Sequence, residues 1–165
     1  MIDKNNLLEW LKRIDNKLKN KITIIAIGGT AITLLGFKSS TIDIDFCISS
    51  KEKDNFEKAL DKKFHVHIFT DGYIFSEQLP DDYIEKSKNI LKLKNITLKA
   101  LNPIDIIITK TARLNARDEE DIQVLARYVN KNELIERFNN VLGTYSGSEE
   151  EYKRKFDFIL KRFFK

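Results

Sequence analysis

The chain has 165 residues, 42% of them hydrophobic and 33% charged, with a single cysteine and a formal net charge of +4. That length suits one domain with a buried core, and the lone Cys47 excludes an internal disulfide and fits a reducing, cytoplasmic setting. No apolar run approaches the ~20 residues of a membrane helix, the Met1-Ile2-Asp3-Lys4 start has no signal-peptide core, and the mild basicity admits nucleotide or nucleic-acid partners without requiring them.

In chain order, Leu7, Leu8, Leu11, Ile14 and Leu18 recur at helical spacing and predict an amphipathic helix over 4–19. The β-branched run 22–27 reads as a buried strand, broken by Gly28-Gly29. Thr30 to Leu35 reads as one or two helical turns closed by Gly36. Residues 42–48 alternate apolar and acidic as a second strand, 52–60 form a charged helix, and 64–70 a third strand ending at the turn Asp71-Gly72. A short helix follows Pro80, and Lys94-Asn95 joins a hairpin. Asn102-Pro103 starts a helix over 103–116 with Ile104, Ile107, Ile108, Thr111 and Leu114 on one face. Asp118 caps the next helix, and further helices cover about 131–141 and 149–164, around a loop at 143–147. The chain shows no internal repeat and no domain boundary, so it reads as one unit: a mixed core over about 1–100 and a helical extension over 101–165.

The chemistry concentrates in two short runs, Ile27-Gly28-Gly29-Thr30-Ala31 and Thr41-Ile42-Asp43-Ile44-Asp45-Phe46. A glycine pair between strand and helix lets backbone approach a ligand, and the helix's first free N–H groups suit a phosphate. Asp43 and Asp45, two apart on a strand, point to one face, while Ile42, Ile44 and Phe46 point into the core. Two adjacent carboxylates repel unless a cation lies between them, and Mg²⁺ (or Mn²⁺) shared with substrate phosphates suits such a pair.

The order strand, Gly-Gly, helix, strand, Asp-x-Asp resembles the nucleotidyltransferase superfamily, the DNA polymerase beta-like proteins. The run GGTAITLLGFKSSTIDIDF is similar to its toxin-type and uncharacterised prokaryotic branch, with Ala31, Gly36 and Thr41 at the branch's further positions. Lys110 and the segment Arg117-Asp118-Glu119-Glu120-Asp121 match a second, looser block, so the resemblance spans about residues 22–127. It implies an α/β (α+β) fold: a small mixed sheet flanked by helices, with a helical C-terminal part. It also implies metal-dependent transfer of a nucleoside monophosphate from a nucleoside triphosphate to an RNA, protein or small-molecule acceptor, with a toxin–antitoxin or defence setting and an antitoxin partner. Asp43, Asp45 and His67 would be catalytic, the two aspartates holding metal. Gly28, Gly29, Thr30, Thr41 and Lys110 would bind nucleotide.

One position departs from the pattern. The family carries a third carboxylate on the next strand, and His67 stands there, with Asp71 just beyond the strand as a substitute. The departure motivates an alternative: a degenerate relative that binds nucleotide, nucleic acid or a partner protein without turnover. His65 and His67 share a strand face and read as site-lining or surface residues rather than a zinc pair. Lys110, Arg113 and Arg117 fall on one helical face, with Arg117 paired to Asp121 at i+4. Tyr152, Phe156, Ile159, Leu160 and Phe163 read as core or dimer seam, and Lys161-Arg162 with Lys165 as a basic end within reach of RNA.

Overall fold

The computed structural model describes residues 1–165. A two-residue strand, β1 (Ile2–Asp3), leads into helix α1 (Lys4–Lys17), where the Asp3 carboxylate accepts the Asn6 N–H at 2.8 Å. Leu7, Trp10, Leu11 and Ile14 are the fully buried stripe of α1. Asp15 is buried too, because its carboxylate accepts the N–H groups of Asn95 and Ile96 at 2.8 and 2.7 Å and ties the helix to a distant hairpin.

Strand β2 (Ile22–Ala26) runs into helix α2 (Gly28–Leu34), so the glycine pair forms the first turn of the helix instead of preceding it. A short β3 (Ser40–Thr41) pairs with β1, and β4 (Ile44–Ile48) follows after a bend. Helix α3 (Lys53–Ala59) leads to β5 (Val66–Thr70). Asp71 and Gly72 both adopt left-handed backbone, φ 54° and 79°, and make the tight turn into β6 (Tyr73–Ile74), which pairs with β7 (Glu77–Gln78). These two strands are too short for any hydropathy period and were not expected. Helix α4 (Tyr83–Lys86) and the hairpin β8 (Lys88–Lys92) and β9 (Ile96–Ala100) complete the mixed half.

The large sheet has the order β7-β6-β5-β4-β2-β9-β8. β4 is the middle strand, and its neighbour β2 is interior too, antiparallel to β4 and parallel to β9, while β4 is parallel to β5. A strand with neighbours on both edges and helices above it is apolar almost throughout, which is the composition of β2. The architecture is thus a mixed α/β fold with a helical C-terminal group, α5 (Pro103–Thr111), α6 (Ala116–Ala126), α7 (Lys131–Leu142) and α8 (Glu149–Phe163).

Helix α5 packs against α2, α6, α7 and α8. It is therefore buried nearly all round, not striped, and it stops at Thr111 rather than continuing to 116. Leu114 takes φ 41°, and the cap of α6 is Asn115, with Asp118 closing a capping box from its third position. Tyr152, Phe156 and Ile159 of α8 are core, and the Phe156 ring stacks on Phe138 at 3.8 Å. Cys47 is buried as well.

Glu77 on β7 is only 1% exposed, one of its oxygens accepts the Tyr152 hydroxyl at 2.6 Å, and the other has no hydrogen-bond partner. Burial pushes this carboxyl up to about 8, against the opposing pull of Tyr152. A pKa raised on folding favours the native state while the group is protonated, fully so below the unfolded value of 4.5, and that advantage is lost as pH rises through 8. Wild-type stability is expected to fall between pH 5 and 8 relative to Glu77→Gln, by on the order of several kcal/mol. Urea unfolding across that range checks it, and parallel curves for the two proteins would contradict it.

Candidate active site

The site lies where β2, α2, β4 and β5 meet. Gly28 has φ +53°, and a Cβ there would sit 3.4 Å from the Asp45 carboxylate. Gly29 is pressed against Thr41: an added Cβ would lie 2.9 Å from the Thr41 hydroxyl oxygen. The two glycines thus bring the start of α2 against the acidic strand, as a cradle for an anion requires. Gly29→Ala is expected to cost about 1–3 kcal/mol by urea midpoint. Adding Thr41→Ala should restore part of that loss, and no recovery would contradict the clash.

Thr30 and Thr41 shape the bend before β4. The Thr30 hydroxyl accepts the Asp45 N–H at 2.9 Å and donates to the Asp43 carbonyl at 3.3 Å, while the Thr41 hydroxyl donates to the same carbonyl at 3.0 Å. Both threonines are buried, so their hydroxyls serve the backbone of the acidic pair. Because this bend precedes the ladder, Asp43 lies one residue outside β4 and Ile42 is 55% exposed. The expected core position of Ile42 is thereby corrected: strand alternation starts only at Ile44.

The parallel register of β4 and β5 sets Asp45 beside His67. The His67 Nδ1 lies 2.9 Å from the Asp45 carboxylate, His65 Nδ1 lies 3.4 Å from that of Asp43, and the two imidazoles meet edge to face at 4.4 Å. Ligand atoms of Asp43, His65 and His67 all lie within 4.8 Å of one another. This donor set fits a divalent cation. The sequence reads His65 as site-lining or surface; the signal that could have placed it was His-x-His entering one strand beside Asp-x-Asp entering its parallel neighbour.

A cleft of about 420 Å³ opens beside the acidic pair, with Gly29, Lys38, Thr41, Arg113 and Arg117 on its walls. Lys110 borders it but is only 4% exposed, with its ammonium 3.2 Å from Asp118 and 3.0 Å from Asp121. The expected open basic face is therefore not formed: the turn after α5 puts Arg117 on another helix, and Lys110 turns inward. Asp121 takes Lys38, at 2.9 Å, and Lys110 as partners in place of Arg117. Arg113 grips Asp118 through two hydrogen bonds of 2.8 and 2.7 Å. Its pKa is raised first by that bond, against its own burial, with the Asp45 charge adding. Phe75, 54% exposed at φ 55°, lies under the Arg113 guanidinium at 5.3 Å and closes the side nearest Gly28.

No helix is long and apolar enough to cross a membrane. No curated protein matches the chain. A family model matches residues 5–163, nearly the whole sequence, and the glycine turn, the Asp-x-Asp pair and the cleft between them all lie within that match. The chain belongs to the family described as nucleotidyltransferase of unknown function (DUF6036).

Proposed function

We propose that the protein transfers a nucleoside monophosphate from a nucleoside triphosphate to an acceptor hydroxyl on an RNA, a protein or a small molecule. The observation that carries this reading is the close approach of the Gly28 backbone to Asp45, where an added Cβ would lie 3.4 Å from the carboxylate, so that the glycine turn stands beside the acidic pair. Asp43 and Asp45 would hold Mg²⁺ or Mn²⁺, which neutralises phosphate charge and steadies the attacking and leaving oxygens. The chain's own part is positioning. The turn at Gly28-Gly29-Thr30 receives the triphosphate, with Thr41 bracing it from behind. Lys38, Arg113 and Arg117 offer charge on the open walls of the cleft. Lys110, held at the border of the cleft by Asp118 and Asp121, would offer its own positive charge to the phosphates.

In the transfer the acceptor oxygen bonds to the α-phosphorus as the bond to pyrophosphate breaks. The hydroxyl proton passes to solvent, which reaches the partly exposed Asp43 and His65 side chains. His67 completes the site as its third side chain. The toxin–antitoxin setting and an antitoxin partner are what the sequence resemblance adds to this reading.

The test is incubation of the protein with each α-labelled nucleoside triphosphate, Mg²⁺ or Mn²⁺, and total RNA or protein as acceptor. Label in an acceptor fraction is the expected result. Metal-dependent nucleotide binding with no label in any fraction would favour a second reading, binding without turnover, which rests on His67 standing in the place of a carboxylate.

A further inference from the structure

Two residue pairs meet at the β4–β5 ladder. In-register parallel pairing sets Asp45 opposite His67, and Asp43 and His65, each one residue before its strand, meet just beyond the end of that ladder. The side-chain distances are 3.4 Å between His65 and Asp43, and 2.9 Å between His67 and Asp45. An all-oxygen donor set would suit Mg²⁺, which prefers carboxylates, phosphates and retained water. Two imidazoles beside a carboxylate suit a first-row transition dication instead.

We propose that Asp43, His65 and His67 form a binding site selective for a transition-metal dication of the Mn²⁺, Co²⁺ or Zn²⁺ class over Mg²⁺. The inference rests on the proposed function only in naming the same corner of the molecule, since it requires no nucleotide. Metal–nitrogen and metal–oxygen bonds of about 2.1 Å allow two donors on one ion to stand at most about 4.2 Å apart. The ligand atoms lie within 4.8 Å of one another, so a small side-chain adjustment brings them to that limit, and the His65 side chain is 71% exposed. Asp45 is the neighbouring carboxylate that steadies the His67 ring, the arrangement that commonly supports imidazole ligands.

His65 and His67 are the only two histidines in the chain, so every imidazole signal belongs to this site. The test is a titration of the full, tag-free, nucleotide-free chain with Zn²⁺, followed through the imidazole nuclear resonances. Both imidazoles should shift together and saturate at one equivalent. His65→Asn and His67→Asn should each weaken binding at least tenfold, and a hundredfold excess of Mg²⁺ should leave the shifted signals in place. Movement of one imidazole only, wild-type affinity in either variant, or displacement by Mg²⁺ would overturn the proposal. His65→Asn alters an exposed side chain and keeps the test valid should His67→Asn fold poorly. The two readings fail separately. A protein that captures Zn²⁺ through both imidazoles yet transfers nothing disproves the activity alone. One that transfers with Mg²⁺ while its histidine variants bind Zn²⁺ normally disproves the metal site alone.

Discussion

Asp45→Asn is expected to lower nucleotidyl transfer at least about a thousandfold, which is about 4 kcal/mol at the transition state, with the fold unchanged. The side chain stands between the Gly28 backbone and His67, where both a cation and a triphosphate would have to sit. Its backbone N–H is held by the buried Thr30 hydroxyl, a bond that Asn retains. Asn also keeps the size and shape of the side chain, so the loss isolates the negative charge. Stability without ligand should stay within about 1 kcal/mol of wild type, because the change also relieves repulsion from Asp43. A variant that retains transfer within tenfold of wild type would remove Asp45 from the mechanism.

Lys110→Met is the substitution expected to cost most in stability. Its ammonium lies between Asp118, whose side chain is fully buried, and Asp121, which is 8% exposed. Burial works against the Asp118 carboxylate, yet Arg113, Lys110 and the Asn115 N–H outweigh it and hold its pKa below the usual range. Removing Lys110 leaves two inward-facing carboxylates sharing Arg113 and Lys38, a loss on the order of 3–5 kcal/mol. That is a large share of a typical domain's stability. Urea unfolding should show a lower midpoint with an unchanged slope. Adding Asp121→Asn should recover part of the loss, since it removes the charge left unpaired; a double variant no better than the single one would mean that packing, not charge, was lost. A depressed Asp118 pKa stabilises the fold above the unfolded carboxylate pKa, and that stability falls away as pH drops through the folded value. The gap between Lys110→Met and wild type should therefore narrow in acid.

The acidic half of this site was legible in the sequence because it is local. Gly28-Gly29, Asp43 and Asp45 lie within eighteen residues of one another, and strand period and glycine chemistry are read directly from such a stretch. The helices α1, α7 and α8 were equally legible, since each carries a regular apolar stripe over three or more turns. What escaped was set by contacts between distant segments. His65 gains a meaning only from the pairing of β4 with β5, which brings the residue before β5 beside Asp43. Lys110 reads in the sequence as a cation open to phosphate, but α6 turns back at Leu114 and brings Asp118 and Asp121 over it. Ile42 followed the alternation of a strand that begins two residues later, the bend being imposed by the Thr30 and Thr41 hydroxyls. Strands β6 and β7, two residues each, exist because the Asp71-Gly72 turn folds β6 onto β5 and β7 then pairs with β6.

The central claim is that nucleotide binds at the Gly28-Gly29 turn through metal held by Asp43 and Asp45. The measurement that tests it most directly is thermal unfolding with each nucleoside triphosphate, with and without Mg²⁺ or Mn²⁺, on wild type and on Asp43→Asn/Asp45→Asn. A ligand that binds only the native state at a hundredfold excess over its Kd should raise the midpoint by roughly 5–10 °C for a chain of this size. The expected result is a rise for at least one nucleotide that needs the metal and disappears in the double variant. No rise with any nucleotide, or an equal rise in the variant, would contradict the claim.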